Sequence, residues 1–382
     1  MDFNGYKGVD YDYLREAYFD LYLENTDIRA GRQLVNWGTA YELNPIDLVN
    51  PLDLTTTDPL EFERGVAALK AKYYYDFNTI FTGVMIGEHR PATLPVGMEN
   101  MAGQMIQGVA YENLVENIYQ QTGNLDNAES MAGAIINNNC TVSSPIAGEI
   151  DSVEDVEIAL KAMWRNINGY DISLSYFHGY QDMPTVVSNL GEVYAALDEV
   201  TEKYMVNGTS DKEIEIELGY KQTDSFGFNV IGSIKDVGVW TEMNYAQNAD
   251  EEEKIDLVFG GDYTFENGFY TVVQYFHREY KDNLINNFLA AYSEGELIHN
   301  QNFLILHGEI PFKQIHNWQA NFIYDLDNDN YMLNPEVNYS LTNNINFDIG
   351  TIIYNEKNST SGFDLLPLLS EEKSYIQFTY SF

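Results

Sequence analysis

The sequence predicts an all-β fold, an antiparallel transmembrane β-barrel, and two features of the chain support this prediction. Residues 374–382 alternate in character, with Ile376, Phe378, Tyr380 and Phe382 on one face, and similar alternating segments recur along the chain. The chain also carries 29 Tyr and 20 Phe, which aromatic girdles at the membrane interfaces would use. Lipid accepts apolar outer side chains and a wet lumen accepts polar inner ones, so this alternation suits a barrel strand.

Hydropathy limits the ways in which the chain could cross a membrane. No apolar segment approaches the roughly 20 consecutive residues that a transmembrane helix needs. If the protein spans a bilayer, it must therefore do so with strands. A soluble, acidic β protein would show the same alternation and remains an alternative at this stage.

The alternation predicts about 15 strands of a length that suits a bilayer. In one of the clearest, Trp318 and Phe322 face opposite Gln319 and Asn321. In the least regular one, the triplet 223–225 could form a turn that splits the strand. The predicted strands are 11–24, 27–37, 65–75, 79–87, 155–167, 171–181, 212–234, 237–248, 254–265, 269–280, 301–312, 316–326, 330–341, 345–356 and 372–382.

The links between predicted strands alternate in length, which tests the barrel prediction independently. Outer-membrane barrels keep periplasmic turns short and extracellular loops long. If Phe382 ends at the periplasmic side, the links on that side are all short and the long links fall outside, where only 249–253 and 327–329 are short. The long links are 38–64, 88–154, 182–211, 281–300 and 357–371. A soluble sandwich has no reason to sort its loops in this way.

We therefore predict one barrel domain, residues 1–382, in which 88–154 and 182–211 are long loops, external or folded into the lumen. Apolar residues in both loops recur every three to four positions, which predicts short helices. Such helices would pack over the mouth or the lumen wall, or would form a constriction. The residues with this spacing are Met98, Met101, Met105 and Val109, and Leu190, Val193, Leu197, Val200 and Tyr204.

The direction of the first predicted strand suggests that a further strand precedes it. Traced back from Phe382, the strand at 11–24 runs inward from the outside. One additional upward strand would bring the barrel to about 16, an even number as in bacterial barrels. The given N-terminus has no basic segment followed by an apolar one, so it shows no secretory leader. We therefore expect an N-terminally incomplete protein.

Net charge and cysteine content exclude several classes of function. The chain carries 59 acidic and 20 basic residues, a net charge of −39. Phosphate neutralisation needs basic residues, so nucleic acid is not an expected partner. Cys140 is the single cysteine, which excludes an internal disulfide framework and a multi-cysteine metal site.

The densest motif is a pair of Asn-Pro-x-Asp-Leu units, at 44–48 and 50–54, which follows Asn36-Trp37-Gly38. Proline fixes φ and disfavours helix in the preceding residue, while Asn and Asp side chains cap turns. The repeat therefore predicts two successive rigid turns in an ordered loop folded inward over the barrel. The residues that we expect to line this loop or a constriction are Trp37, Asn44, Asp47, Asn50 and Asp53.

These motifs carry a resemblance to a known family. Leu14 to Tyr18, the segment from Asp27 to Gln33, Asn-Trp-Gly and the paired turns resemble an uncharacterised family of porin-like bacterial outer-membrane proteins, designated as a domain of unknown function. The organisation is similar over most of the chain, and the specific motifs cover about residues 14–90. The resemblance implies a Gram-negative outer-membrane barrel. It implies no substrate and no catalytic residue.

Charged side chains at inward positions are the main functional clue. From the alternation we expect Glu16, Asp20, Arg29, Gln33, Lys70, Lys72, Glu157, Lys161 and Arg165 to line the pore. One interpretation is that these charges form cross-strand ion pairs that make the wall rigid. The other is a charged ladder for anionic or zwitterionic solutes. Lys70 and Lys72 lack an acidic partner on their own strand, so the ladder interpretation remains an alternative.

No motif points to catalysis, a metal or a cofactor. The six histidines show no metal-ligand spacing and no neighbouring nucleophile signature. Asp325, Asp327, Asp329 and Glu336 have the spacing of a calcium loop, but Asn330 replaces the required glycine and strands flank the segment. A tight hairpin turn is the better interpretation. We therefore expect a protein that is not an enzyme and has no cofactor.

The sequence thus predicts an outer-membrane, porin-like channel for passive passage of small or mid-sized solutes, whose identity stays unknown. A barrel-anchored surface protein for adhesion or envelope integrity is the alternative. Outer-membrane lipid and lipopolysaccharide are the expected surroundings. The barrel-assembly machinery is expected to recognise the C-terminal strand through Phe378, Tyr380 and Phe382.

Overall fold

The computed structural model defines the course of most of the chain. It describes residues 15–53, 63–87, 89–93, 101–143, 156–183, 185–188, 190–248, 253–281, 298–313, 316–342, 344–355 and 373–380. This part of the chain contains one large antiparallel sheet, two small two-stranded sheets and three α-helices.

The strands and helices have the following bounds. The strands are β1 Ala17–Tyr22, β2 Thr26–Gln33, β3 Val66–Tyr74, β4 Thr79–Ile86, β5 Cys140–Val142, β6 Glu157–Ile167, β7 Tyr170–Tyr180, β8 Thr185–Val186, β9 Ile214–Ile216, β10 Leu218–Gly219, β11 Gln222–Ile234, β12 Val237–Asn248, β13 Glu253–Thr264, β14 Tyr270–Lys281, β15 Ile298–Phe312, β16 His316–Asp325, β17 Tyr331–Thr342, β18 Ile345–Asn355 and β19 Lys373–Tyr380. The helices are α1 Met101–Thr122, α2 Leu125–Asn139 and α3 Leu190–Asn207.

The large sheet has 15 strands, in the order β1-β2-β3-β4-β6-β7-β11-β12-β13-β14-β15-β16-β17-β18-β19. Each strand pairs antiparallel with the next one along this order. The all-β prediction with about 15 strands is thereby confirmed, and most predicted bounds agree with the observed ones to within a few residues. The agreement is close because alternation of side chains is a local property of each strand.

The prediction for residues 212–234 needs a correction. The strand of the large sheet begins only at Gln222, and Thr223 to Ser225 lie inside it, paired with both β7 and β12. They do not form a turn. The preceding residues form β9, which pairs with β5, and β10, which pairs with β8. Alternation alone could not distinguish one long strand from short strands that pair elsewhere.

The two faces of the large sheet differ in character. In β6, for example, Ile158 and Leu160 are exposed on one face, while Ala159 and Lys161 are buried on the other. We call these the outer and inner faces. The exposed apolar residues of the outer face include Leu69, Phe81, Met85, Ile158, Leu160, Leu174, Phe226, Phe228, Met243, Phe259, Val273, Ile310, Trp318, Tyr339, Ile349, Ile353, Ile376 and Phe378.

The two ends of the large sheet carry links of different length. Because consecutive strands are antiparallel, every second link lies at the same end. One end has only short links, 23–25, 75–78, 168–169, 235–236, 265–269, 313–315 and 343–344. The other end has 34–65, 87–156, 181–221, 249–252, 282–297, 326–330 and 356–372. We call them the short-turn end and the long-loop end, and their sorting by length agrees with the barrel prediction.

Short turns of this kind need residues that tolerate positive φ. Asn168 and Gly169 have φ values of 54° and 89° in the turn after β6, and Gly268 has 84° in the turn before β14. Glycine and asparagine reach this region at lower energy than other residues. These residues allow the chain to reverse within a few positions.

The two edges of the large sheet are β1 and β19. No hydrogen-bonded pairing joins them in the described part of the chain. Closure into a barrel is therefore still a prediction, as is the additional sixteenth strand. Phe382 lies outside the described residues.

The helices have a hydrophobic core of their own, apart from the sheet. Ile118 of α1, Ile135 of α2 and Val200 of α3 are fully buried against one another. The small β5–β9 sheet joins this cluster through Cys140 and Ile214. We call this unit the helical cluster; it belongs to the two long links at the long-loop end. None of the helices in the described part of the chain is both long and apolar enough to cross a bilayer.

The predicted helices correspond to α1 and α3. The spacing from Leu190 to Tyr204 is confirmed by α3. The methionine spacing falls on the start of α1, except that Met98 lies outside the described residues. With 22, 15 and 18 residues, the helices are longer than the short ones that this spacing suggests. Their extra length serves to pack them on one another. The single-domain assignment of residues 1–382 stays a prediction.

Candidate functional site

Residues 34–53, which we call the inner segment, fold against the inner face of the large sheet. Six strands hold this segment by side-chain hydrogen bonds: β6, β11, β12, β14, β15 and β16. These strands are spread over much of the sheet, so a single short segment reaches them all only by crossing the concave side. The inner segment therefore occupies the interior that the sheet surrounds.

The Trp37-Gly38 turn is held by two charged side chains. Asp47 accepts hydrogen bonds from the main-chain amides of Trp37 and Gly38, the latter at 2.9 Å. Lys161 of β6 donates from Nζ to the Trp37 carbonyl at 2.5 Å. A Cβ atom on Gly38 would lie 1.8 Å from the side chain of Asn44. A side chain at this position would therefore displace that of Asn44.

Glu242 of β12 anchors the next part of the inner segment. Its Oε1 atom accepts hydrogen bonds from the Thr39 amide, from Thr39 Oγ1 at 3.0 Å and from the Ala40 amide at 3.0 Å. Asn229 of β11 donates to Thr39 Oγ1 at 2.9 Å. A carboxylate that accepts several donors is a strong, directional anchor for buried backbone.

Tyr41 connects the inner segment to β14, β15 and β16. We call strands β12 to β16 the far wall. Gln274 of β14 accepts from the Tyr41 amide at 2.7 Å and donates to the Tyr41 carbonyl at 2.8 Å, like a strand partner. The Tyr41 hydroxyl lies 2.8 Å from His307 Nδ1 and donates to Asn321 Oδ1 at 2.9 Å. Trp240 Nε1 donates to Gln274 at 2.8 Å and holds that amide in place.

The second Asn-Pro turn is fixed by Asn50. Its side chain accepts from the Val35 amide at 3.0 Å and donates to the Val35 carbonyl at 3.2 Å. Asn50 also donates to Glu63 Oε2 at 3.2 Å, and Asn36 donates to the same oxygen at 3.0 Å. These contacts join Val35 and Asn36 at the start of the inner segment to Asn50 near its end and to Glu63 beyond it.

Two carboxylates, Asp47 within the inner segment and Glu63 beside it, are electrostatically perturbed. Burial, and secondly the negative charge of Asp47, raises the pKa of Glu63 to about 6, although Asn50 and Asn36 favour the ionised form. Burial also raises the pKa of Asp47, against the hydrogen bonds from Trp37 and Gly38. Both carboxylates therefore bind a proton more readily than they would in water.

Apolar contacts complete the docking of the inner segment. Trp37, Ile46 and Val49 form one side of a narrow cleft, and residues of β7, β11 and β12 form the other. Gly227 of β11 leaves room for Ile46, because a Cβ there would lie 2.9 Å from the Ile46 methyl group. Val35, Trp37 and Val49 also belong to a buried cluster with side chains of β3, β4, β6 and β7.

The predicted constriction residues all lie in the inner segment. Trp37, Asp47 and Asn50 make the contacts described above. Asn44 accepts a hydrogen bond from the Ile46 amide at 3.3 Å, which closes the first Asn-Pro turn. Asp53 forms an isolated bridge with Thr93. The structure places this loop inside the sheet, and its role in setting pore size stays a prediction.

The predicted pore-lining residues differ in their surroundings. Asp20 and Arg29 form a bidentate ion pair, at 2.7 and 2.9 Å, between β1 and β2. Lys70 and Lys72 lie beside it on β3 and are half-buried. Arg165 is exposed near the short-turn end, and Glu16 accepts a hydrogen bond from the Leu34 amide at 3.0 Å.

The remaining three predicted pore-lining residues are buried structural groups. Gln33 donates to the Ala68 carbonyl at 3.0 Å. Glu157 lies 2.8 Å from His89 Nδ1, and Lys161 holds the inner segment as described. Lys161 donates to the main-chain carbonyl of Trp37. The ion-pair interpretation of the sequence had suggested an acidic partner on a neighbouring strand.

Sequence reasoning missed the residues that hold the inner segment from the far wall: Glu242, Gln274, His307 and Asn321. A signal for them was available. Each is a polar residue at an inward position of its strand, and for Gln274 the inward neighbours Val272 and Phe276 are apolar. A buried polar group needs a partner. The partner, however, lies more than 200 residues away in the chain for Glu242 and Gln274.

The far side of the interior contains a tightly packed apolar cluster beside its buried polar groups. Val258, Val272, Phe303, Ile305 and Met332 of β13 to β17 are at most 1% exposed. Ala40, Tyr41 and Leu43 of the inner segment pack against this cluster. In the described ranges, no group of three or more His, Cys, Asp or Glu side chains could hold a metal ion.

Comparison with known proteins identifies a family and several structures of low similarity. The sequence profile of the family described as "Protein of unknown function (DUF1302)" matches residues 4–322. Comparison with curated proteins gives no match.

Three solved structures resemble the chain in outline. Acinetobacter baumannii OccAB4 is 8% identical over 90% of this chain and 70% of that one, with a TM-score of 0.43. Pseudomonas aeruginosa OccD3 (OpdP) is 10% identical, covers 91% and 73%, and has a TM-score of 0.43. Salmonella typhi OmpF, in complex with daunomycin, is 10% identical, covers 81% and 70%, and has a TM-score of 0.40. All three scores are below 0.5, so the fold description stands on this chain's own strand pairing.

Proposed function

Since the chain belongs to the DUF1302 family of proteins of unknown function, we propose its function from its own geometry: a porin-like outer-membrane channel. Small or mid-sized solutes would pass by diffusion through the interior of the sheet, beside the inner segment. The observation that carries this proposal is the division of the sheet into an apolar, exposed outer face and an inner face that holds the buried polar groups. In water-soluble proteins, a sheet buries its apolar face and exposes its polar face.

The position of aromatic residues on the outer face supports insertion in a bilayer. Tyr331 and Tyr339 lie at opposite ends of β17, eight positions apart. A strand rise of about 3.4 Å per residue separates them by roughly 27 Å. With a tilt of about 40°, roughly 20 Å remains along the membrane normal, close to the apolar band of about 25 Å in outer-membrane barrels.

Further aromatic residues extend these two rows. Near the long-loop end, Phe226 lies opposite both Tyr176 and Tyr245. Near the short-turn end, Phe347 lies opposite Tyr339 and Phe378, and its ring centroid is 5.2 Å from that of Phe378. Amphipathic rings prefer the two membrane interfaces. The rows therefore fit two aromatic girdles around a Gram-negative outer-membrane barrel.

The proposal includes the expected surroundings. Outer-membrane lipid and lipopolysaccharide would contact the apolar outer face. The barrel-assembly machinery would recognise the C-terminal strand, in which Ile376 and Phe378 are exposed on the outer face. We assign no catalytic activity and no cofactor to the chain.

Single-channel recording tests the proposal directly. The full-length protein, purified in detergent and added to a planar lipid bilayer, should produce stepwise increases in conductance. A folded, membrane-inserted protein without conductance would contradict the channel and favour the alternative, a barrel that anchors the helical cluster at the cell surface. A monomer that stays soluble in buffer without detergent would contradict membrane insertion itself.

A further inference from the structure

The interior of the sheet has a closed side and an accessible side. On the closed side, apolar residues of β13 to β17 pack against the inner segment, as described above. On the accessible side, the inward side chains of β1 to β3 beyond the inner segment are only partly covered. We call Asp20, Arg29, Lys70 and Lys72 the accessible wall. A solute that passes the inner segment would do so along this wall.

The accessible wall is rich in positive charge for so acidic a protein. It holds three of the 20 basic residues of a chain with 59 acidic ones. Arg29 and Lys70 are direct cross-strand neighbours, and Lys72 lies two positions along β3 on the same face. Like charges directly opposite each other destabilise a sheet. The pair of positive charges at Arg29 and Lys70 therefore lowers the stability of the sheet. A neutral side chain at either position would avoid this loss.

The acidic residues nearby in the described part of the chain form no ion pair with the two lysines. The Asp20 carboxylate is taken by Arg29 with both of its oxygens. Asp27, the cross-strand neighbour of Lys72, accepts a hydrogen bond from the Tyr74 hydroxyl at 2.7 Å. Among the described residues, no carboxylate forms an ion pair with Lys70 or Lys72. Their ammonium groups are available to a passing anion.

The row of positions continues from the wall toward the inner segment. Lys72 is in register with Thr82 of β4, and Thr82 is in register with Lys161 of β6. Lys161 is buried and donates to the Trp37 carbonyl. Positive charge thus extends across neighbouring strands from the accessible wall to the base of the inner segment.

From this placement we propose that the accessible wall is the solute path and that it selects small anionic solutes, with carboxylate or phosphate groups, through Lys70 and Lys72. The proposal rests on the channel function proposed above. Rows of Lys and Arg side chains favour anions in pores because each step replaces part of the hydration of the anion. A path at one side of the lumen also agrees with the packed apolar half opposite.

The test is the ion selectivity of the full-length channel in a planar bilayer under a KCl gradient. The double substitution Lys70→Glu and Lys72→Glu should shift the reversal potential toward that of potassium. Inorganic phosphate should reduce the chloride current of the unmodified channel and have a smaller effect on this variant. Lys235→Glu makes the same exchange at one site, with half the total charge change of the double variant, in an exposed turn between β11 and β12, and should leave the reversal potential unchanged.

The charge-conserving pair Lys70→Arg and Lys72→Arg separates charge from folding. It should keep the selectivity of the unmodified channel. Channels that conduct, but whose reversal potential is the same in the Lys70/Lys72 and Lys235 glutamate variants, would overturn the anion path and leave the channel function standing. Absence of conductance from the unmodified protein would overturn the channel function itself.

Discussion

Lys161 of β6 donates a hydrogen bond from its buried ammonium group to the main-chain carbonyl of Trp37, at 2.5 Å. The two residues are 124 positions apart in the chain. This contact joins the wall of the sheet to the segment that crosses its interior. Negative charge near the ammonium group comes from Asp47 and Glu242, which also hold the inner segment. The buried charge of Lys161 is therefore one of the groups that hold the inner segment in place.

Removal of this charge should loosen the inner segment. In Lys161→Met, we expect a loss of about 1.5–3 kcal/mol of unfolding free energy, the range for hydrogen bonds to charged groups. Asp47 and Glu242 would also lose a neighbouring positive charge. Single-channel traces should show larger or noisier conductance. The control is Lys235→Met in an exposed turn, which should behave as the unmodified protein; equal traces for all three proteins would contradict the role of Lys161.

Glu242 should matter in a graded manner. Glu242→Gln keeps an acceptor oxygen but loses the charge, whereas Glu242→Ala leaves the Thr39 and Ala40 amides without their acceptor. An unsatisfied buried donor costs about 1–3 kcal/mol, so we expect the alanine variant to be clearly less stable than the glutamine variant. Thermal or urea unfolding in detergent measures the difference. The prediction is wrong if both variants unfold together with the unmodified protein.

Gly38 should not tolerate a side chain. A Cβ atom would overlap the Asn44 side chain at 1.8 Å, so Gly38→Ala must displace that side chain and break its hydrogen bond with the Ile46 amide, which closes the first Asn-Pro turn. We expect a destabilisation of roughly 1–3 kcal/mol, as for overpacked sites, together with altered conductance. The matched control is Gly108→Ala in α1, where no atom lies within 4 Å of the new Cβ. This control should be neutral or slightly more stable, because alanine favours helix.

The stability of the protein should depend on Glu63 at mildly acidic pH. The pKa of Glu63 is raised from 4.5 to about 6, so between these values the folded state binds more protons than the unfolded state. Its contribution to stability is therefore full below pH 4.5 and is lost as the pH rises to about 6.

The comparison of Glu63→Gln with the unmodified protein isolates this contribution. The difference in melting temperature between the two proteins should change across this pH interval in favour of the variant as the pH rises. A constant difference from pH 4 to pH 7 would show that Glu63 has an ordinary pKa.

The outer face should reject charge only where lipid contacts it. Leu160 on the outer face of β6 and Leu125 at the start of α2 are each 50% exposed. Arginine on the lipid face of a barrel costs about 2–4 kcal/mol near the membrane centre, so Leu160→Arg should fold poorly into vesicles. Leu125→Arg should fold normally, because the helical cluster lies outside the large sheet. Equal folding yields, measured by heat-modifiable mobility on gels, would contradict the membrane assignment of the outer face.

Much of the fold was accessible to sequence reasoning. The strands around Trp318 and Ile349 were predicted because alternation with period two appears directly in the order of residues. The inner segment was predicted to fold inward because Asn-Pro turns carry their own geometry. In contrast, the short strands β9 and β10 resemble part of a longer strand, since partner choice leaves no trace in a single segment.

The sequence by itself determined which residues form strands, which side chains share a face, and at which end the long links lie, because these depend on local alternation and on chain reversal. Only the tertiary structure decided that Glu242, Gln274 and His307 hold the inner segment, and that one half of the interior is packed while Lys70 and Lys72 stay accessible. The physical reason is the curvature of the sheet. It brings together residues as far apart as Thr39 and Glu242, 203 positions in the chain, and no local pattern encodes such a contact.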